Sequence, residues 1–158
     1  MSIREAGPDD LAAVLRLYGQ LNPDDPVLSS EAAAATFGRI LDSPLLRLLV
    51  LEEAGEVVAT TYLNLIPNLT RNGAPYAVIE NVVVDEARRG SGAGKRIMAA
   101  TLAAAWEAGC YKAMLLTSSK QESTHAFYRA CGFAGDIKTG YVTHPPSPAG
   151  RRADRTNL

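Results

Sequence analysis

Apolar and polar positions along this chain follow two periods, and the changes between them mark its elements. Residues 2–5 read as a short first strand. Pro8, Asp9 and Asp10 offer helix-start chemistry, and Leu11, Val14, Leu15 and Tyr18 then recur with helical spacing. Asn22-Pro23-Asp24-Asp25-Pro26 cannot continue that helix, because proline lacks the amide hydrogen and fixes φ. Ser29 or Ser30 can cap a second helix, which carries Glu31 and an alanine run and should end near Leu41. Residues 45–53 and 56–65 read as two strands joined by a tight turn at Ala54-Gly55.

Beyond a polar loop at 67–75, residues 76–85 form an apolar run, expected to be a central strand buried on both faces. Residues 93–108 predict a helix whose Ile97, Met98, Thr101, Leu102 and Ala105 share a face, with Gly109 closing it. Met98 and Trp106 read as packing residues. A strand is expected over 112–117, a short helix from Ser123 or Thr124 to Cys131 stopped by Gly132, and a hairpin-like strand region over 134–142. From His144 onward the chain is rich in proline and polar residues, which predicts little structure. The order β-α-α-β-β-β-α-β-α-β is mixed α/β, with antiparallel strands first.

At 158 residues, 47% of them hydrophobic, the chain is long enough to bury a core as one domain, placed at 1–143 with a tail at 144–158. A net charge of −1 with scattered Lys and Arg implies no polyanionic partner such as nucleic acid. The polar N-terminus shows no secretory signal, and no apolar run reaches membrane-spanning length. Cys110 and Cys131 have neither metal-ligand spacing nor a disulfide framework. Reduced thiols, a cytoplasmic location and no metal are therefore expected.

The chemistry-bearing stretch is IENVVVDEARRGSGAGKRIM, residues 79–98. A β-branched run ends at Asp85, three glycines alternate at Gly90, Gly92 and Gly94, and a helix begins. Such a turn points backbone N–H groups at an anion from the positive end of a helix dipole. Arg89 and Lys95 add charge. A P-loop fails, because Arg89 stands at its first glycine and Arg96 at its Ser/Thr. A dinucleotide turn fails because Lys95 or Ile97 stands at its third glycine. The spacing that fits is Arg-x-x-Gly-x-Gly, from Arg89 through Gly92 to Gly94. Downstream, Ala126-Phe127-Tyr128 and Gly132-Phe133 form a second pattern in the same order of elements.

On these two motifs the chain resembles the GNAT superfamily of N-acetyltransferases. The resemblance runs from the first strand to about Tyr141. It implies a single GNAT-like α/β domain: a bent mixed sheet of about six to seven strands with splayed central strands, flanked by about four helices. It also implies acetyl-CoA as co-substrate. Arg89, Gly90, Ser91, Gly92, Ala93, Gly94 and Lys95 would hold its pyrophosphate, and the backbone of Val82, Val83 and Val84 its pantetheine arm. Tyr128 matches the family's tyrosine that protonates the leaving thiolate, a role open to a phenol that stays protonated at neutral pH. It also reads as a core tyrosine of a short helix. Glu80 occupies the position of a catalytic base, often acting through water, or else forms a buried ion pair. Thr124 stands where many relatives carry an asparagine that bonds the cofactor arm. His125 beside it reads as a solvated helix residue.

Ile79-Glu80, Gly109-Cys110-Tyr111-Lys112 and Phe127-Tyr128 through Phe133 are similar to glucosamine-6-phosphate N-acetyltransferases. Those enzymes carry Asp where this chain has Asn81, and acidic residues where it has Leu116, Thr117 and Ser118. Asp24, Asp25 and Glu31 lie where the family shapes its acceptor pocket. The resemblance thus implies acetyl transfer to a small-molecule primary amine, and by analogy a homodimer. A non-catalytic acyl-CoA sensor and a protein or peptide amine acetyltransferase are the alternatives.

Overall fold

A computed structural model describes residues 2–146. The chain forms two compact units, one ending at Leu115 and the other beginning at Leu116. In the first unit a five-stranded sheet runs in the order β1 (Ser2–Glu5), β2 (Leu46–Glu53), β3 (Glu56–Ile66), β4 (Tyr76–Val84), β5 (Ala113–Met114). Neighbouring strands are antiparallel except β4 and β5, which are parallel. Sequence order equals spatial order: β1 reaches β2 through a segment holding two α-helices, β2 to β4 follow one another through connections without an α-helix, and the parallel step to β5 uses a helix as its crossover.

Helices α1 (Leu11–Leu21) and α2 (Ser30–Leu41) cover one face of the sheet, where Val14, Leu17 and Phe37 meet Leu48, Val50, Val57 and Val83. The Ser29 hydroxyl accepts from the Ala32 amide at 3.3 Å, so the predicted cap forms. Helix α3 (Ala93–Glu107) packs on β2, β3 and β4. Its Ile97 and Met98 are fully buried, each stabilising the fold by roughly 1.5–3 kcal/mol relative to exposure. Between α3 and the sheet, the hydroxyls of Thr61 and Thr101 are 2.6 Å apart, and Thr101 also donates to the Ile97 carbonyl at 2.8 Å. Both threonines are thereby buried without orphaned hydroxyls. The second unit holds α4 (Glu122–Ala130), closed by Gly132 at φ +92°.

Four expectations change. The described residues form five strands, not six to seven. Residues 134–142 form no strand: Gly135, Asp136, Lys138 and Gly140 are poor strand formers, and Ile137, Tyr141 and Val142 stay exposed. β5 spans two residues rather than 112–117. Just after it the Thr117 hydroxyl accepts from the Ser119 amide at 3.2 Å, a local bond that competes with strand pairing. Trp106 is 49% exposed, so it is not a core packing residue, whereas Met98 is. The expected tail begins at His144, and its part from residue 147 onward lies outside the described residues.

Candidate functional site

The glycine turn forms as its sequence demands. Gly90 and Gly92 adopt φ of +81° and +87°, the left-handed region that L side chains avoid. Gly92 caps α3, and the first intrahelical bond runs from the Arg96 amide to its carbonyl at 3.2 Å. The amides of Gly94 and Lys95 precede that bond and have no partner within the helix. The Ala93 amide reaches only the Ser91 hydroxyl, at 3.3 Å. Around these donors stand exposed Arg89 and Lys95. Arg89 pairs with Glu86 at 3.7 Å, and both side chains are exposed, so solvent screens the pair and a stronger anion can draw Arg89 away. Arg96 bonds Glu53 at 2.8 Å. Open backbone donors, the helix dipole and two available cations fit a pyrophosphate.

The loop leading into this turn is tied to α1. Arg16 pairs with Asp85 and also donates to the Val57 carbonyl at 2.7 Å. The Gln20 side chain accepts from the Glu86 amide at 3.0 Å. The Arg16 guanidinium, followed by the Ala87 amide, holds the Asp85 carboxyl below the usual carboxylate range.

β4 is not the uniformly buried strand that its apolar run predicts. Tyr62 pairs with Glu80 and Thr60 with Val83, so two residues of β4, Asn81 and Val82, stand opposite Thr61 alone. This is a β-bulge, and Asn81 sits in it at φ +49°. The bulge resets the alternation: Glu80 is exposed, while Val83, three residues on, joins the core. The Asn81 side chain faces the hydroxyl of Tyr18 on α1, and burial pushes that phenol up to about 12.

Pairing between β4 and β5 stops at Val78 and Met114, so β4 from Ile79 to Val84 has no strand partner on that edge among the described residues. The Asp85 amide donates to the Val58 carbonyl at 2.8 Å. Because antiparallel pairs alternate, Val83 turns its backbone toward Thr60, and Val84 turns its own to the open edge. Of the three valines, then, Val83 has its backbone committed to the sheet.

Glu80 lines a groove of ≈ 600 Å³ on the sheet face that also carries Tyr62, Asn64 and Val78, with Leu46 and Ser43 at its border. That volume is ordinary for a small-molecule site. Tyr62 is half-buried, which raises its phenol's pKa. Sequence reading singled out Glu80 but missed Tyr62 and Asn64, which reach the groove only through the register of β3. Asn81 was the one available signal, since an asparagine inside a valine run suits a left-handed backbone.

In the second unit, Tyr128 lies on α4, half-buried, with ring centroids 5.2 Å from Phe127 and 6.1 Å from Phe133. The aromatic motif therefore packs around its own tyrosine. The Thr124 hydroxyl accepts from that of Ser119 at 3.1 Å, and His125 is half-buried rather than fully solvated. Asp24, Asp25 and Glu31 are all exposed. Among the described residues no group of His, Cys, Asp or Glu could hold a metal ion, and no helix is long and apolar enough to cross a membrane.

Residues 13–133 match the profile of the Acetyltransferase (GNAT) family. A glucosamine 6-phosphate N-acetyltransferase of Trypanosoma brucei brucei is 30% identical over 133 residues, covering 84% of this chain and 88% of the relative. An aminoglycoside N(6')-acetyltransferase type 1 of Stenotrophomonas maltophilia is 28% identical, covering 94% and 95%. A solved structure from Agrobacterium tumefaciens str. C58 superimposes with a TM-score of 0.87 at 47% identity, covering 92% of this chain and all 100% of the other.

Proposed function

The chain belongs to the Acetyltransferase (GNAT) family, and from that premise we propose that it transfers an acetyl group from acetyl-CoA to the primary amine of a small molecule. The observation that carries this reading is the position of Glu80. It is an exposed carboxylate in a ligand-sized groove, one residue before a bulge that lies on the open stretch of the β4 edge.

Acetyl-CoA supplies the thioester that an amine attacks. The amides of Gly94 and Lys95, with the side chains of Arg89 and Lys95, bind its pyrophosphate at the turn spanning Gly90, Ser91, Gly92 and Ala93. The backbone of Val82 and Val84 on the open edge of β4 offers hydrogen bonds to the amide-bearing arm and to the carbonyl oxygen as charge develops there. Glu80 accepts the proton that an acceptor ammonium must lose, directly or through water. Tyr128, matched to the family's motif, donates a proton to the departing sulfur. Thr124 can give the arm one hydrogen bond.

The test is CoA release from acetyl-CoA against a panel of amines: amino sugars and their phosphates, aminoglycosides, polyamines, amino acids and a lysine peptide. Release with one class, lost in Tyr128→Phe, supports the reading. Tight acetyl-CoA binding without release for any amine would replace it with a binding module.

A further inference from the structure

The groove that holds Glu80 also constrains the acceptor. Its walls are apolar along Leu45, Leu46, Ile66 and Val78, and Glu80 is the one formally charged side chain among its described lining residues. Asn64 commits its amide hydrogens to the carbonyls of Tyr62 and Val78, at 3.3 and 3.2 Å, which leaves its oxygen as an acceptor. The groove thus carries a negative charge at Glu80, neutral polar groups on Asn64, Tyr62, Asn81 and Ser43, no cation among its described lining residues, and hydrocarbon along Leu45, Leu46, Ile66 and Val78. Lys112, the residue before β5, has its Nζ 5.1 Å from the Tyr76 ring centroid and 5.5 Å from that of Tyr111. Tyr76 lies four residues before Glu80, about 13 Å along the strand.

We propose that the acceptor is a cationic amine on an uncharged body with an apolar stretch, and that a phosphorylated amino sugar is disfavoured. This rests on the acetyl-transfer reading above and narrows its acceptor. The ammonium sits against the Glu80 carboxylate, and the body lies along Leu46, Val78 and Ile66. A phosphate attached within one sugar ring of that amine would rest on the same apolar side chains. It would lose hydration there without gaining a cation, which is costly for a dianion. The Glu80 carboxylate would add repulsion. The trypanosomal relative is named for a phosphorylated acceptor, a preference this chain would not share.

Two measurements on the full chain test it. The first compares kcat/KM for phenethylamine, hexylamine, glucosamine and glucosamine 6-phosphate at saturating acetyl-CoA. Phenethylamine or hexylamine should exceed glucosamine 6-phosphate by about 10-fold or more, the scale of discrimination between a filled and a mismatched pocket. Val78→Lys, which puts a cation into the wall, should move the ratio at least about 10-fold toward the phosphate; if that variant does not fold, Ile66→Lys takes its place. The second is calorimetric binding of phenethylamine and glucosamine 6-phosphate without acetyl-CoA, in wild type and Glu80→Gln. Preference for glucosamine 6-phosphate in either measurement overturns the proposal while leaving acetyl transfer intact. Phenethylamine binding that weakens in Glu80→Gln, with no amine turned over, supports the groove's selectivity and refutes the reaction instead. Absence of any amine binding, with no turnover, refutes both.

Discussion

The side chain of Asn81 faces the hydroxyl of Tyr18, joining the bulge of β4 to α1. Asn81 also carries a φ of +49°, so the contact secures a residue that already tolerates the left-handed region. Asn81→Gly and Asn81→Val both remove the amide, but only valine adds backbone strain, because its β-branch is excluded there. Urea unfolding should therefore show Asn81→Val less stable than Asn81→Gly by about 1–3 kcal/mol. Equal stabilities would mean that the bulge relaxes away when its asparagine is lost.

Burial of Tyr18 gives the fold a pH dependence, which the Asn81 side chain opposes only in part. Burial raises its pKa to about 12, against an ordinary value of 10.0. The folded state therefore holds the proton more tightly than the unfolded chain does. The contribution to stability is full below pH 10 and is lost as pH rises toward 12. Tyr62 moves in the same direction, also through burial. Other tyrosines and lysines titrate in that window, so the informative quantity is a difference. Denaturant midpoints from pH 9 to 12 should fall less steeply in Tyr18→Phe than in wild type. Parallel curves would show that Tyr18 ionises freely in the folded protein.

Much of the fold was legible because the decisive residues act locally. Ser29 caps its helix through its own side chain, and Gly92, Gly109 and Gly132 sit at positive φ at helix ends where a glycine was the signal. The bulge was not legible. A period of two interrupted once by an extra residue turns an alternating strand into VIENVVV, which reads as buried throughout. β5 ends ahead of a local turn in which the Ser119 amide donates to the Thr117 hydroxyl, and the groove depends on the register that sets Tyr62 beside Glu80. Neither relationship is visible in the order of residues.

The β2–β3 hairpin carries a correctable strain. Ala54 and Gly55 form the two-residue loop between the paired Glu53 and Glu56, with φ of +50° and +83°. Such loops favour Asn-Gly, because asparagine accepts the first left-handed position more readily than alanine. Ala54→Asn should raise stability by about 0.5–1 kcal/mol, read as a higher denaturant midpoint at unchanged slope. A lower midpoint would show that this hairpin draws its stability from another turn geometry.

At the glycine turn, conformation and charge can be tested apart. A Cβ on Gly92 would meet nothing within 4 Å, so substitution there acts through φ and by obstructing the space before α3. Gly92→Trp fills that space, and Arg89→Ala removes a cation whose pairing with Glu86 is weak. Titration calorimetry should show weaker CoA binding in both, and the Arg89→Ala loss should shrink as salt rises, since an exposed charge is screened. Unchanged affinity in both variants would remove the turn from the cofactor site.

Tyr128 offers the sharpest separation of chemistry from structure. Its ring stands between Phe127 and Phe133 in edge and tilted arrangements, and Phe in its place keeps those aromatic contacts. The substitution deletes only the hydroxyl. If that hydroxyl protonates the leaving thiolate, Tyr128→Phe should lower kcat by about 10- to 10⁴-fold, the range of a lost general acid. Acetyl-CoA affinity should change little, because the proton is needed only as the carbon–sulfur bond breaks. A leaving group that needs no proton gives a second readout. With an acetyl thioester of a more acidic thiol, the gap between wild type and variant should narrow. An unchanged kcat would return Tyr128 to the role of a packing residue and leave sulfur protonation to water.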